Sequence, residues 1–162
     1  MNEKIQRSIF NYLFENGIEN FVGVPDSTLK HFIDEGITQK KILIATREEE
    51  AIGIATGFTL SNSPSLVYMQ NAGFGNSIST ITSLVQLYKI PIIFLIGWRG
   101  FQKNDAPEHL GFGKIQNKIL KTLELPFKII TEDNWKTTSM WAIKNLHKNN
   151  PCALIVKRDF HD

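Results

Sequence analysis

The fold of this 162-residue chain is decided by the stretch Thr46-Arg-Glu-Glu-Glu-Ala-Ile-Gly-Ile-Ala-Thr-Gly-Phe-Thr-Leu60 and by Ser65-Leu-Val-Tyr-Met-Gln-Asn-Ala-Gly-Phe-Gly-Asn76, which follows it. An apolar strand predicted at 42–45 leads into three carboxylates that open a helix. A second strand, predicted at 66–69, leads into a glycine-rich turn that opens another helix. Open α/β sheets bind ligands at the carboxyl ends of their strands, so both junctions predict a site at that edge.

Helical and strand patterns alternate on both sides of this segment. The patterns predict helices at 3–15, 28–35, 114–124 and 133–148, and further strands at 21–24, 90–96, 127–130 and 152–157. This alternation predicts one α/β domain over residues 1–162, a doubly wound, mostly parallel six-stranded sheet with helices on both faces. Gly36 is expected to end the second helix. The polar stretch 101–113 predicts a long loop of the kind that often has a function.

Composition argues against several classes of function. The net charge is +2 and the Lys and Arg residues are scattered, which does not predict a nucleic-acid surface. No signal core occurs and no apolar run approaches the ~20 residues that span a membrane, so we expect a cytoplasmic protein. The single cysteine, Cys152, is expected to be a small buried residue. His109 has no partners at ligand spacing, so no metal site is expected on this chain.

The three consecutive carboxylates Glu48, Glu49 and Glu50 allow two interpretations. Acids in a first helical turn can simply complement the helix dipole. Alternatively, if Ile52 and Ala55 face the core, Glu48 lies near the buried stripe, where a half-buried carboxylate can share a proton with a ligand. The residues alone leave both interpretations open.

The glycine-rich stretch 70–76 is a second candidate binding element. Its glycines would let the backbone approach a ligand closely, and a helix N-terminus favours an anion or a polar ring. It lacks the Gly-Lys-Ser/Thr of a Walker loop and the third glycine of the dinucleotide fingerprint. Arg99, directly after the strand at 90–96, is either a solvated charge at the sheet edge or an anion clamp.

Four stretches taken together resemble the pyrimidine-binding domain of the thiamine-diphosphate-dependent 2-oxoacid decarboxylases. They are Gly23-Val-Pro-Asp-Ser27, Arg47-Glu48, Met69-Gln-Asn-Ala-Gly-Phe-Gly-Asn76 and Ile96-Gly-Trp-Arg-Gly100. Within this superfamily the chain looks closest to two groups, the phosphonopyruvate decarboxylases and the α subunits of the sulfopyruvate decarboxylases. Its first and last stretches and Asp105-Ala-Pro-Glu-His109 resemble the former, and Thr46-Arg-Glu-Glu-Glu50 and its short length resemble the latter.

The resemblance implies a role for individual residues. Glu48 corresponds to the catalytic glutamate that hydrogen-bonds the aminopyrimidine ring of the cofactor and shares a proton with it. Further cofactor contacts are implied for Gln70, Asn71, Gly73, Phe74 and Asn76, and substrate contacts for Pro25, Asp26, Ser27, Arg99 and His109. No role is implied for Glu49 or Glu50.

One departure from the family pattern has consequences for assembly. The family binds Mg²⁺ and the cofactor's diphosphate through a Gly-Asp-Gly stretch followed by an Asn, and no Gly-Asp-Gly occurs in this sequence. We therefore expect thiamine diphosphate to be shared with a separate diphosphate-binding β subunit that also holds Mg²⁺. The expected assembly is α2β2 or larger, and the chain alone should be inactive.

The expected reaction is that of a carboxy-lyase. The first substrate implied is phosphonopyruvate, giving phosphonoacetaldehyde and CO₂, and the alternative is sulfopyruvate, giving sulfoacetaldehyde. Two other interpretations stay open: a non-catalytic α/β binding module in which the carboxylates only cap a helix, and an acyl-transferring synthase of the same superfamily.

Overall fold

The structure, a computed structural model, describes residues 1–102 and 104–158. Lys103 of the predicted loop and His161 of the C-terminal tail lie outside the described residues. The strands are β1 (Asn20–Gly23), β2 (Ile42–Ile44), β3 (Ser65–Gln70), β4 (Ile92–Trp98), β5 (Phe127–Ile130) and β6 (Cys152–Lys157). The main helices are α1 (Glu3–Glu15), α2 (Lys30–Thr38), α3 (Glu48–Leu60), α4 (Asn71–Asn76), α5 (Ile78–Thr80), α6 (Pro107–Thr122) and α7 (Trp135–Leu146). A 3₁₀ turn (Ser27–Leu29) precedes α2, and a π-helical stretch (Ile81–Gln86) extends α5.

The six strands form one sheet in the order β2-β1-β3-β4-β6-β5, and every neighbouring pair is parallel. The predicted doubly wound α/β fold is confirmed. The chain moves from β1 to β2 in one direction and from β3 to β4 in the other. The carboxyl ends of β1 and β3 therefore flank a topological switch point, where this class of sheet binds ligands.

Helices cover both faces of the sheet. On one face α1, α2 and α7 enclose an aromatic core in which the rings of Phe10, Phe21 and Phe32 lie 4.4 to 5.9 Å apart. On the other face α3, α4 and α6 pack around Ile52 and Phe74. All residues of the central strand β4 are buried, which explains its continuous apolar sequence.

Gly36 does not end the second helix, so that prediction was wrong. The helix continues to Thr38, and the chain turns at Lys40 with a φ of 55°. A β-carbon at Gly36 would collide with Ile42 and Phe10. The glycine is there because α2 packs closely against its neighbours.

Two segments near the predicted site are more regular than the sequence suggested. The stretch from Asn71 to Asn76 is itself helical, rather than a turn before a helix. Helix α6 begins at Pro107, so the predicted loop over 101–113 is wrong from residue 107 onward. Proline suits the first helical position because it has no amide hydrogen to leave unpaired there.

Cys152 is buried, as predicted, and burial raises the pKa of its thiol to about 12. Within residues 1–102 and 104–158, no group of three or more His, Cys, Asp or Glu residues could hold a metal ion. In the same described ranges, no helix combines the length and apolar character needed to cross a membrane.

Candidate functional site

Glu48 lies at the carboxyl edge of the sheet, where β2, β1 and β3 end side by side. It is the first residue of α3, and its half-buried side chain reaches Gly73 in the first turn of α4. The carboxyl group occupies the space that a β-carbon at position 73 would need. Two strand-to-helix junctions therefore meet at one carboxylate.

The structure separates the three carboxylates by what each one contacts. Glu50 accepts hydrogen bonds from the backbone amide of Thr46 at 2.9 Å and from its hydroxyl at 2.6 Å. These bonds lower the pKa of Glu50, with the hydroxyl bond the larger cause. Glu50 thus ties the first turn of α3 to Thr46, the residue before the N-cap Arg47.

The other two carboxylates make weaker contacts. Glu49 lies 3.9 Å from the guanidinium of Arg47. Glu48 accepts no hydrogen bond from any residue that the structure describes. Of the three, Glu48 is therefore the carboxylate positioned at the sheet edge and available to a ligand.

The glycine-rich stretch forms the wall beside Glu48. Gln70 ends β3 and is half-buried, whereas Asn76 is exposed on the last turn of α4. The Phe74 ring is fully buried in the apolar core, so its side chain packs α4 against the sheet and does not face the site. Because Gly75 has no side chain, the ring of Phe112 packs directly against it, and this contact holds α4 against α6.

Asn71 connects the ends of β3 and β4. Its side-chain amide donates a hydrogen bond to the carbonyl oxygen of Arg99 at 2.9 Å, and its side-chain oxygen accepts one from the Arg99 amide at 3.3 Å. Asn71 is 2% exposed, so both ends of its amide group are committed to the backbone of Arg99. Its side chain therefore positions Arg99.

Asp26 caps the 3₁₀ turn after β1, accepting a hydrogen bond from the Thr28 amide at 3.2 Å. Its carboxyl group crosses to the end of β4 and lies against Gly97, which leaves room for it. Burial raises the pKa of Asp26, although the contacts with Thr28 and the charges of Arg99 and Arg158 oppose this effect. A buried acid with a raised pKa at a ligand-binding edge is typical of a functional carboxyl group.

Asp105 holds the segment after β4 in place. Its carboxylate accepts hydrogen bonds from the Gly100 amide at 2.6 Å and the Ala106 amide at 2.8 Å. The guanidinium groups of Arg99 and Arg158 lie 3.5 and 3.6 Å from it. Burial alone would raise the pKa of Asp105, but the two amide hydrogen bonds and the two cations outweigh it and lower the pKa.

His109 lies in the first turn of α6, next to this cluster. Its backbone carbonyl contacts Gly100, and its Nε2 is 3.9 Å from the carboxylate of Glu108. The structure thus brings Asp26, Arg99 and His109 to the ends of β1 and β4, and places Glu48 with Gln70 and Gly73 at the ends of β2 and β3.

Comparison with known proteins assigns this edge of the sheet to a family. Residues 3–122 match the thiamine pyrophosphate enzyme, N-terminal TPP binding domain. The chain belongs to this family.

Two relatives and one solved structure show how this member of the thiamine pyrophosphate family compares with others. The chain is 36% identical over 152 residues to the sulfopyruvate decarboxylase subunit alpha of Methanocaldococcus jannaschii, covering 91% of this chain and 90% of that one. It is 30% identical over 119 residues to the phosphonopyruvate decarboxylase of Streptomyces viridochromogenes, covering 72% of this chain and only 30% of the relative. A candidate thiamin diphosphate-dependent enzyme from Mycobacterium smegmatis superposes with a TM-score of 0.72 at 17% identity, covering 96% of this chain and 30% of that chain.

The described residues fit the pyrimidine end of the cofactor that gives the thiamine pyrophosphate family its name. An aminopyrimidine ring presents N–H groups that a carboxylate can accept, and its flat face can pack against backbone that carries no side chain. The Glu48 carboxylate, free of hydrogen bonds from described residues, lies against the backbone of Gly73 at the switch-point edge. The fit to the pyrimidine ring therefore depends on the Glu48 carboxylate and on Gly73, which the fold places in contact.

Sequence reasoning overlooked Arg158 and the role of Asp105. Arg158 follows β6, which lies beside β4 with Trp98 opposite Lys157. This pairing sets Arg158 near Arg99, although 59 positions separate the two residues in the sequence (158 − 99). No local pattern signals it, because the insertion of β6 between β4 and β5 is decided by the whole sheet.

Proposed function

We propose that this chain is the α, pyrimidine-binding subunit of a thiamine-diphosphate-dependent 2-oxoacid decarboxylase made of two kinds of chain. The observation that carries the proposal is the Glu48 carboxylate, which lies against Gly73 and accepts no hydrogen bond from the described residues. The near end-to-end match to a chain named sulfopyruvate decarboxylase subunit alpha supports it.

In this proposal Glu48 binds the aminopyrimidine ring and holds the proton that passes between its carboxylate and a ring nitrogen. Gln70 and the backbone at Gly73 line the same ring. Thiamine diphosphate, when bound, supplies an electron sink for the electron pair that remains when CO₂ leaves a 2-oxoacid. Glu50 contributes by fixing the first turn of α3, which sets the direction of the Glu48 side chain.

The substrate would approach from the ends of β1 and β4. Pro25, Asp26 and Ser27 belong to the loop after β1, and Arg99 and His109 lie across from it. The raised pKa of Asp26, caused by burial, suits a group that exchanges a proton with substrate. Asn71 would act as a positioning residue, since it holds the backbone of Arg99.

We infer a 2-oxoacid with a tetrahedral anionic tail, for which sulfopyruvate and phosphonopyruvate are the two candidates. The sequence motifs favoured phosphonopyruvate first. The comparison with relatives favours sulfopyruvate, because the match to the M. jannaschii subunit is 36% identical and covers 91% of this chain, whereas the match to the S. viridochromogenes enzyme is 30% identical and covers 72%.

A partner chain would bind the diphosphate and Mg²⁺, for which this sequence has no Gly-Asp-Gly stretch. The outer face of α3 suits such a partner. Gly53 and Gly57 are exposed there, with open space around the position of a β-carbon, and Leu60 is 68% exposed. Glycine in an exposed helix costs stability of about 0.5–1 kcal/mol relative to alanine. Two exposed glycines one turn apart are explained if the backbone of a second chain approaches α3 closely.

The proposal is tested by titrating thiamine diphosphate and Mg²⁺ into the purified chain by calorimetry, with and without a co-expressed diphosphate-binding subunit. We expect tight binding and CO₂ release from sulfopyruvate or phosphonopyruvate only with both chains present. Tight cofactor binding by the isolated chain would contradict the two-chain site. A reconstituted complex that binds the cofactor but makes acyl-transfer products, identified by mass spectrometry, would indicate a synthase instead.

A further inference from the structure

A polar cavity of about 400 Å³ lies behind the loop that follows β1. Its lining includes Ser27, Thr28, Lys30, His31 and Arg158. Ser27 and Lys30 also line a neighbouring cavity of about 340 Å³ that opens beside Pro25 and Asp26. The polar cavity therefore adjoins the residues proposed to face the substrate, with Ser27 and Lys30 on the wall that the two cavities share.

The titratable side chains that line this cavity are all basic. Lys30 has no carboxylate within 4 Å among residues 1–102 and 104–158. The nearest acid to His31 is Glu3 at 3.9 Å, and that carboxylate is already paired with Arg7 at 2.9 Å. Arg158 reaches Asp105 at 3.6 Å, where Arg99 shares the same carboxylate. No acidic side chain from the described part of the chain lines this cavity, although Asp26 and Asp34 line the neighbouring one.

The wall of the cavity is rigid. Gln6 is 5% exposed, and its amide nitrogen donates hydrogen bonds to the carbonyl oxygens of Met1 and Thr28 at 3.1 and 3.2 Å. Its side-chain oxygen accepts a hydrogen bond from the Phe32 amide at 3.2 Å. One buried side chain therefore ties α1 to the 3₁₀ turn and to α2, which fixes the positions from which Lys30 and His31 project.

We propose that this cavity is the subsite for the anionic tail of the substrate, with Lys30 and His31 as its specificity-determining contacts. The inference rests on the proposed function for the identity of the substrate, whereas binding of a small tetrahedral oxyanion can be measured on this chain by itself. A sulfonate or a phosphonate presents three oxygen acceptors, which an ammonium, an imidazole N–H and the hydroxyl of Ser27 can satisfy together.

Direct binding is measured first, with sulfoacetate and phosphonoacetate as probes that carry the tail but no ketone. The His31 ring resonance, assigned with a His31→Asn variant, is followed by NMR in the full chain. We expect both probes to shift it, and Lys30→Gln to weaken binding roughly tenfold, the scale of one charge-assisted contact. Lys118→Gln, an exposed lysine on α6, is the matched control and should change nothing. The probe that binds more tightly identifies the preferred tail.

Kinetics of the reconstituted two-chain enzyme then provide a separate readout. Lys30→Gln should raise KM for the anionic-tailed oxoacid roughly tenfold and leave kcat within about twofold, because it removes a contact made equally in ground and transition states. A subsite is ruled out if saturating probe leaves His31 unshifted, or if Lys30→Gln binds like the wild type. Probe binding without any decarboxylation would leave the subsite standing and would overturn the decarboxylase proposal instead.

Discussion

The carboxyl group of Glu48 lies against the α-carbon of Gly73, in the space where any other residue would place a β-carbon. This contact joins the helix that follows β2 to the helix that follows β3, across the end of β1. It also orients a carboxylate that no described residue engages by a hydrogen bond. The proposed chemistry depends on this pair, since the glycine determines where the acid can lie.

Gly73→Ala should therefore reduce activity without unfolding the chain. The new methyl group would displace the Glu48 carboxyl group, whereas alanine in a helix is itself stabilising by about 0.5–1 kcal/mol. We expect kcat of the reconstituted enzyme to fall roughly 100-fold, since small misplacements of a catalytic group have effects of this size. Gly111→Ala, at an exposed helical glycine with open space around it, is the control. Full activity in Gly73→Ala would show that the contact is unimportant.

The three carboxylates should respond differently to conversion into amides. Glu48→Gln should lower kcat roughly 10²–10⁴-fold, the usual scale for losing a positioned proton-transfer group. Glu50→Gln should retain turnover within a few fold and slightly lower the melting temperature, because Glu50 ties the first turn of α3 to Thr46. Steady-state assays and thermal melts of both variants test this. An equal loss of turnover in the two would mean that the wrong carboxylate has been assigned.

The glycine face of α3 predicts where the partner chain binds. Gly57→Arg should fold normally, because nothing on its own chain lies within 4 Å of the new β-carbon. It should weaken assembly with the diphosphate-binding subunit roughly 100-fold or more through steric exclusion. Met140→Arg, at a 40% exposed position on α7 across the sheet, serves as the control. Analytical ultracentrifugation of the mixed chains measures their association. Unchanged association in Gly57→Arg would mean that the partner binds at another surface.

Asp105 should make stability depend on pH in the acid range. Burial alone would raise its pKa, but the Gly100 and Ala106 amides and the two arginines lower it overall. A carboxylate with a lowered folded-state pKa stabilises the fold above its unfolded pKa of about 3.9, and this contribution is lost as the pH falls through the folded-state pKa.

Asp105→Asn should consequently lower the free energy of unfolding at pH 7 by about 3 kcal/mol, since it removes a buried carboxylate that Arg99 and Arg158 share and weakens its two amide hydrogen bonds. The difference from the wild type should shrink below pH 4. Asp133→Asn, at an exposed acid, is the matched control. Denaturant melts between pH 3 and pH 7 measure the effect, and a constant difference across this range would contradict the assignment.

The ionised form of Asp26 should affect folding stability in the opposite direction to that of Asp105. Burial is the largest influence on its pKa, which is raised, so the ionised form destabilises the folded state at pH 7. Asp26→Asn should therefore raise the melting temperature at pH 7 while keeping the hydrogen bond from the Thr28 amide, because asparagine is an equally good cap. The gain should disappear as the pH falls through the raised pKa, where the wild type is also neutral. A lower melting temperature at pH 7 would contradict the prediction.

Much of the fold could be predicted because its elements have local causes. The bounds of β5 and β6 were predicted correctly, since each is a short apolar run between turn residues. The start of α6 was missed, because His109 and its neighbours look like loop residues until Pro107 is seen at the first helical position. Gly36 was misread for a related reason: a glycine that serves close packing looks the same in sequence as one that ends a helix.

The sequence by itself determined the parallel α/β class and the edge on which the site lies, because both follow from local periodicity and from the residues at strand ends. Only the tertiary structure decided which of three adjacent carboxylates is available and which distant arginine lies beside Arg99. Helix packing sets the rotation that sends Glu48 toward Gly73 and Glu50 back to Thr46. Strand order sets Arg158 next to β4. Both depend on how the whole sheet is packed, and no short stretch of sequence contains that information.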